Sequence, residues 1–284
     1  MKTRAYGKIN LFLKILRKRP DGYHDLETIF HPIDHYDDLE LTATGSEIST
    51  VTRHSSLPSD ESNLCLRAAH LLKNATRFGG GAHILLTKRI PLGAGLGGGS
   101  ADAAAVLRGL NLLWNVRLPD EALRELAAQL GADVPFFLLG RSAYATGRGD
   151  VLSPVDVSLP YWIVVATPPL HVSTSWAYAH CTPRNEDASA PETLERIGNL
   201  ADPAAVRSLM VNDFEPSVMQ TFPGIRSIKK LFLEHGAIAA LMSGSGSSVF
   251  GLFAEESRAS TVAASLAPDH VVSLTKPGFR PAGT

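Results

Sequence analysis

The segment Pro91-Leu92-Gly93-Ala94-Gly95-Leu96-Gly97-Gly98-Gly99-Ser100-Ala101 holds five glycines within seven residues. It lies between a strand pattern, His83 to Lys88, and an Ala-rich helix pattern from about Ser100 to Leu113. Glycine lets backbone N–H groups come close to a ligand and tolerates positive φ. The start of a helix adds unpaired N–H donors and a partial positive charge. Such a loop at a helix start is a seat for phosphate. It is not a Walker A loop, which ends in Gly-Lys-Ser/Thr, because no lysine stands there. Gly93, Gly95 and Gly98 satisfy Gly-x-Gly-x-x-Gly, but the dinucleotide version needs an acid ~20 residues on, at a strand end. Asp120 and Glu121 instead open a helix after Pro119. A protein-kinase reading fails because neither a Val-Ala-Ile-Lys-like strand nor Asp-Phe-Gly follows.

Other polar residues sit where a fold could aim them. In an extended strand side chains alternate faces. Ile9, Leu11, Leu13 and Ile15 then form one apolar face, and Lys8, Asn10, Phe12 and Lys14 share the other. Lys8 and Asn10 would stand ~7 Å apart, twice the rise per residue. Tyr23-His24 follows the turn signal Pro20-Asp21-Gly22, and Asp133 lies just past a helix stop at Gly131. The Gly/Ser run Ser243 to Ser248 is either a simple hairpin connection or a set of backbone N–H groups facing phosphates. The His and Cys residues show no zinc-ligand spacing.

The elements that must hold these residues mix strands and helices. Strand patterns cover 9–16, 37–43, 83–88, 161–166, 237–242 and 249–253. Helical spacing covers 63–73, 100–113, the stretch after Pro119, 225–235 and 255–267. Residues 44–60 read as a polar loop and 182–204 as an exposed, Pro-containing excursion.

The chain has 284 residues, 44% hydrophobic and 19% charged, with a formal charge of −1. That composition excludes a disordered chain, and the length suits about two domains. No global basic excess exists to grip a nucleic acid. No apolar run reaches the ~18 residues of a membrane helix. The acid-free, basic stretch 1–20 is not Ser-rich and already carries a strand pattern, so it belongs to the fold. Cys65 and Cys181 share no short motif, which suits two reduced thiols in the cytoplasm.

The stretch from Pro91 to Ser100 resembles the ATP loop of the GHMP kinases. Gly7-Lys8-Ile9-Asn10-Leu11-Phe12-Leu13, Arg19-Pro20-Asp21-Gly22-Tyr23-His24, Gly131-Ala132-Asp133-Val134-Pro135-Phe136-Phe137 and the stretch from Met242 to Phe250 resemble one family among them. That family phosphorylates a cytidine-diphosphate methylerythritol in non-mevalonate isoprenoid biosynthesis. The resemblance runs nearly end to end. It implies an α/β (α+β) architecture of two domains, 1–154 and 155–284, with the active site in the cleft between them. It implies transfer of the γ-phosphoryl group of ATP to the 2-hydroxyl of the methylerythritol unit, with Mg²⁺ present. Lys8 and Asp133 match the catalytic pair, and residues 91–101 match the ATP loop. A lysine there supplies charge near the transferring oxygen, and an aspartate accepts or orients the hydroxyl proton. Asn10, Tyr23 and His24 match substrate contacts, with Tyr23 stacking on cytosine and His24 reading its polar edge. A second stacking aromatic falls within 172–178, where Tyr178 is favoured over Trp176. Several superfamily members place a serine at the loop end to help hold Mg²⁺. Here Gly98-Gly99 occupy that place and Ser100 comes one step later, which leaves the metal ligand open. The expected partner is a small-molecule substrate, and the expected state is a cytoplasmic monomer or homodimer.

Overall fold

The computed structural model describes residues 1–53, 57, 60, 62–198 and 200–282. Two sheets carry the fold among them. The first holds β1 (Lys2–Lys18), β2 (His24–Thr44), β3 (Ile48–Thr52), β4 (Gly81–Thr87), β5 (Ala143–Thr146) and β6 (Val151–Pro154), with β2 pairing β1, β4 and β5. Its helices are α1 (Leu64–Thr76), α2 (Gly98–Leu113), α3 (Asp120–Leu130) and α4 (Val134–Leu139). The second sheet is antiparallel in the order β10-β7-β9-β8, from β7 (Trp162–Thr167), β8 (Ala239–Met242), β9 (Val249–Phe253) and β10 (Val271–Thr275). The helices of this half are α5 (Thr174–Ala179), α6 (Ala190–Ile197), α7 (Pro203–Leu209), α8 (Glu215–Thr221), α9 (Pro223–Glu234) and α10 (Glu256–Leu266).

The packing explains the patterns. Leu39 and Leu41 of β2 and Ile84 and Leu86 of β4 are buried against Ala68, Leu72, Ala104 and Leu107 of α1 and α2. The small alanines let α2 lie close to the sheet. A second core runs across both sheets, joining Ile9, Leu11, Ile29 and Ile33 to Ile163, Val165, Leu241 and Phe250. Ile228 and Phe232 of α9 and Val262 of α10 cover the far side of the second sheet. β1 also touches the second half directly. Leu13 N–H donates to Val211 O at 2.8 Å and Asp213 N–H donates to Leu13 O at 3.0 Å.

Three expectations need correction. β1 does not alternate strictly, because its pairing with β2 shifts register between Tyr6 and Lys8, between Asn10 and Leu13, and between Ile15 and Arg17. Phe12 is therefore fully buried, and the polar side chains Lys8 and Asn10 are buried too. The stretch 44–60 is not all loop, since β3 pairs in parallel with β4; residues 54–56, 58 and 59 lie outside the described ones. The excursion 182–204 contains α6, which buries Ile197 and Thr193. Thr193 Oγ1 donates to Glu27 Oε1 at 2.5 Å, a bond from a polar segment into the first sheet.

Candidate active site

The glycine loop ends in α2, which starts at Gly98, two residues before the expected Ser100. Its N-cap, Gly97, has φ 71° and makes no side-chain cap, so the first N–H groups of α2 are left for a ligand. Backbone contacts fix the loop's middle. Lys8 N–H donates to Leu96 O at 2.9 Å, and Ser248 N–H donates to Ala94 O at 3.1 Å. Ser243 Oγ donates to Gly95 O at 2.9 Å and accepts from Asn10 N–H at 3.2 Å. Asn212 Nδ2 holds the Gly/Ser turn from behind by donating to Met242 O at 2.7 Å and Gly244 O at 2.8 Å.

A buried charge cluster ties the two ends of the loop together. Asp37 of β2 accepts from Arg89 N–H at 2.5 Å and Ile90 N–H at 2.9 Å, where the chain enters the loop. Lys88 Nζ bonds Asp37, and also Asp102 Oδ2 at 2.8 Å, in α2 where the chain leaves it. Burial pushes the Asp102 carboxyl up, with Asp37 adding to the shift and Lys88 opposing it. Removing one member of a buried ion pair leaves uncompensated charge, at a cost of ~3–5 kcal/mol. Lys88→Met is expected to destabilise the fold by about that much in a denaturant titration. Its side chain is 1% exposed, so the loss would come from Asp37 and Asp102 facing each other and not from a ligand contact. A loss below about 1 kcal/mol would mean that the pair is no better than a surface salt bridge.

Lys8 and Asp133 meet across the cleft. Their Nζ and Oδ2 atoms are 3.8 Å apart. Lys8 Nζ also donates to Asn10 Oδ1 at 2.7 Å, two residues along β1 as the strand spacing requires. Asn10 Nδ2 donates to Thr28 Oγ1 at 2.9 Å, which fixes the amide so that its oxygen faces Lys8. The Lys8 ammonium lies 5.0 Å from the Phe30 ring centre, within cation–π range. Burial pushes the Lys8 pKa down and Asp133 opposes that shift. Asp133 occupies the N-cap position of α4 but makes no capping bond, so its carboxylate is not spent on the helix. α4 itself was not foreseen.

The cleft over this pair has a volume of about 370 Å³ and is lined by Lys8, Asn10, Asp133, most of the glycine loop and Gly244-Ser245. Two of the expected loop residues do not face it. The Leu96 side chain is buried in the core behind the loop, and Ala101 is buried on the other side of α2. A neighbouring cleft of about 780 Å³ is lined by Tyr23, His24 and Tyr178. The His24 and Tyr178 rings stack at 4.9 Å with 22° between their planes. Tyr23 stands 58% exposed at the rim. Burial, then Lys18, pushes the His24 imidazole down, so it is neutral near pH 7. Trp176 lines neither cleft; it stacks on His180 at 4.2 Å and meets Phe222 edge-on. Thr174 and Ser245 also line the first cleft, and Arg148, which the sequence did not single out, lines both. Ser245 lies in the Gly/Ser turn already singled out, whereas Arg148 carries no signal beyond the glycines that flank it.

Known proteins resolve what this arrangement belongs to. The model described as the GHMP kinases N terminal domain matches residues 63–141, and that described as GHMP kinases C terminal matches 192–272. A 4-diphosphocytidyl-2-C-methyl-D-erythritol kinase from Chlorobium phaeobacteroides is 46% identical over 98% of this chain and 97% of its own. The chain belongs to this kinase family. A relative of the same name from Salinibacter ruber is 44% identical over 93% of this chain and 94% of its own. The crystal structure of a 4-(cytidine 5'-diphospho)-2C-methyl-D-erythritol kinase superimposes with a TM-score of 0.83 at 37% identity, covering 97% of this chain and 98% of its own. Homoserine kinase from Cytophaga hutchinsonii, at 21% identity and a TM-score of 0.74, shares the fold. The α/β GHMP kinase architecture expected from the sequence is thereby shown.

Proposed function

We propose that the chain transfers the γ-phosphoryl group of ATP to the 2-hydroxyl of 4-(cytidine 5'-diphospho)-2-C-methyl-D-erythritol, with Lys8 and Asp133 as the catalytic pair. The observation that carries this is one cleft in which that pair faces a glycine loop at a helix start. Phosphoryl transfer asks little covalent chemistry of a protein; it asks for alignment and for charge placed where charge develops. The loop N–H groups and the start of α2 seat the ATP phosphates. Lys8, held by Asn10, supplies positive charge beside the transferring group. Asp133 takes or orients the proton of the acceptor hydroxyl. Tyr23, His24 and Tyr178 receive the cytosine in the adjoining cleft. Tyr178 rather than Trp176 is the second stacking ring, because it lines both clefts.

Mg²⁺ fits this cleft as a companion of ATP. The Ser100 hydroxyl at the loop end offers it an oxygen, and among the described residues no group of three or more His, Cys, Asp or Glu stands ready to cage a metal. That sparse donor set suits an ion that keeps waters and binds substrate phosphates. When bound, it neutralises phosphate charge. The first sheet closes at Pro154 and the second begins at Trp162, which supports domains of 1–154 and 155–284. Free Cys65 and Cys181 support a reducing, cytoplasmic setting.

A panel of acceptors with Mg·ATP, read by product mass, tests the assignment. The cytidylylated methylerythritol is expected to gain one phosphoryl group, and homoserine and mevalonate none. Equal turnover of homoserine or mevalonate would overturn the substrate.

A further inference from the structure

Two side chains, Tyr178 and Arg148, line both the glycine-loop cleft and the aromatic cleft. A cytidine diphosphate ester with its base in one cleft and its reacting hydroxyl in the other must lay its diphosphate across that boundary. We propose that Arg148 binds this diphosphate and thereby sets the enzyme's preference for nucleoside-diphosphate acceptors over free alcohols. The inference rests on the substrate assignment above.

The local structure presents Arg148 as a fixed donor. It sits between Gly147 and Gly149, whose φ angles of 65° and 94° make a tight turn. The turn is pinned to β2, where Leu26 N–H donates to Gly147 O at 2.8 Å, and Gly149 N–H closes it on Thr146 O at 3.0 Å. Asp150 accepts from the Arg148 backbone N–H at 3.0 Å. It also takes the guanidinium at Nε and Nη2, at 3.0 and 2.8 Å. A guanidinium has five N–H groups, and Asp150 uses two of them. The remaining donors suit phosphate oxygens, which an arginine fork matches in shape as well as charge. The guanidinium carbon also lies 5.1 Å from the Tyr23 ring centre. The cation that would meet the diphosphate is therefore in register with the ring that would meet the base.

Charge placement favours Arg148 over its neighbours. Lys8 is committed to Asn10 and Asp133 deep in the first cleft. Lys18 lines the aromatic cleft alone. Arg148 is the one cation shared by both clefts among the described residues.

Calorimetric titration of the full chain with cytidine and with cytidine diphosphate separates the roles. Wild type is expected to bind the diphosphate more tightly, with the advantage shrinking as salt rises. Arg148→Gln is expected to weaken cytidine diphosphate roughly tenfold, the scale of a charge-assisted hydrogen bond, and to leave cytidine within about twofold. Arg148→Lys should recover part of the loss. Tyr23→Ala should weaken both ligands alike, because it removes the base platform. Equal weakening of both ligands in Arg148→Gln would make Arg148 a brace for Tyr23 and overturn the proposal, as would unchanged diphosphate affinity. Wild type that binds neither ligand would overturn the cytidine assignment itself, and this inference with it.

Discussion

Asp133→Asn is expected to lower turnover by ~10²–10⁴ while leaving KM for both substrates within about twofold. The substitution keeps the side chain's shape but removes its charge and its capacity to take a proton. No cap is lost, because the Asp133 carboxylate makes no bond to α4. The effect should therefore fall on the chemical step and not on folding. The variant also removes the acid 3.8 Å from Lys8. Burial already pushes Lys8 down and Asp133 is the charge that opposes it. With Lys8 acting as proposed, its protonated form is the active one, so activity is expected to fall as pH rises through the lysine's depressed pKa. Without Asp133 that pKa drops further, and the alkaline limb of the pH–kcat profile should move to lower pH. A folded Asp133→Asn enzyme with near wild-type turnover would leave Lys8 as the catalyst, with no base required.

Local patterns carried the parts of this site that the sequence could reveal. Lys8 and Asn10 are two apart on a strand, so their convergence follows from a repeat of two, and the 2.7 Å bond between them realises it. Five glycines before an Ala-rich helix need no tertiary information to suggest a phosphate seat. What stayed hidden depends on packing. Alternation gives β1 a polar face but cannot say that the face is buried, and it misses the bulges that turn Phe12 inward. α4 is six residues with Pro135 at its start, too short to show a helical period. α5 is equally short, and it sends Tyr178 and Trp176 to different surroundings. Two residues apart on a helix lie on nearly opposite faces, so one ring reaches the clefts while the other meets His180 and Phe222. Arg148 comes to the boundary of the clefts because Gly147 is pinned to Leu26, a contact across 121 positions that no local pattern encodes.

Gly95→Ala is expected to cut kcat/KM for ATP by ~100-fold or more, because misplacing a catalytic constellation by an ångström costs about that much. A Cβ at this position would lie 2.0 Å from the Ser243 carbonyl oxygen and 3.3 Å from Gly246 N. Both neighbours are backbone, so neither can swing aside. The φ of 80° adds strain of ~1–2 kcal/mol for any residue with a Cβ. The glycine loop and the Gly/Ser turn must then separate, which breaks the bond from Ser243 Oγ to Gly95 O and strains that from Ser248 to Ala94. The displacement reaches Lys8, because Asn10 N–H hangs on Ser243 Oγ and Lys8 N–H on Leu96 O. Gly97→Val tests the same loop and should abolish ATP binding, because at φ 71° a β-branched residue is strained whatever the space around it. The Cβ at Gly97 would meet the Phe137 ring at 2.6 Å and Lys8 Cε at 3.4 Å, side chains that can shift. Gly99→Ala is the control for fold. Its Cβ would find only Leu64 Cδ1, at 3.6 Å, and alanine favours the first turn of α2. Gly99→Ala should keep wild-type melting, so any rise in its KM for ATP would report how closely phosphate approaches the helix start. Unchanged ATP kinetics in a folded Gly95→Ala enzyme would mean that contact between the two loops does not shape the ATP seat.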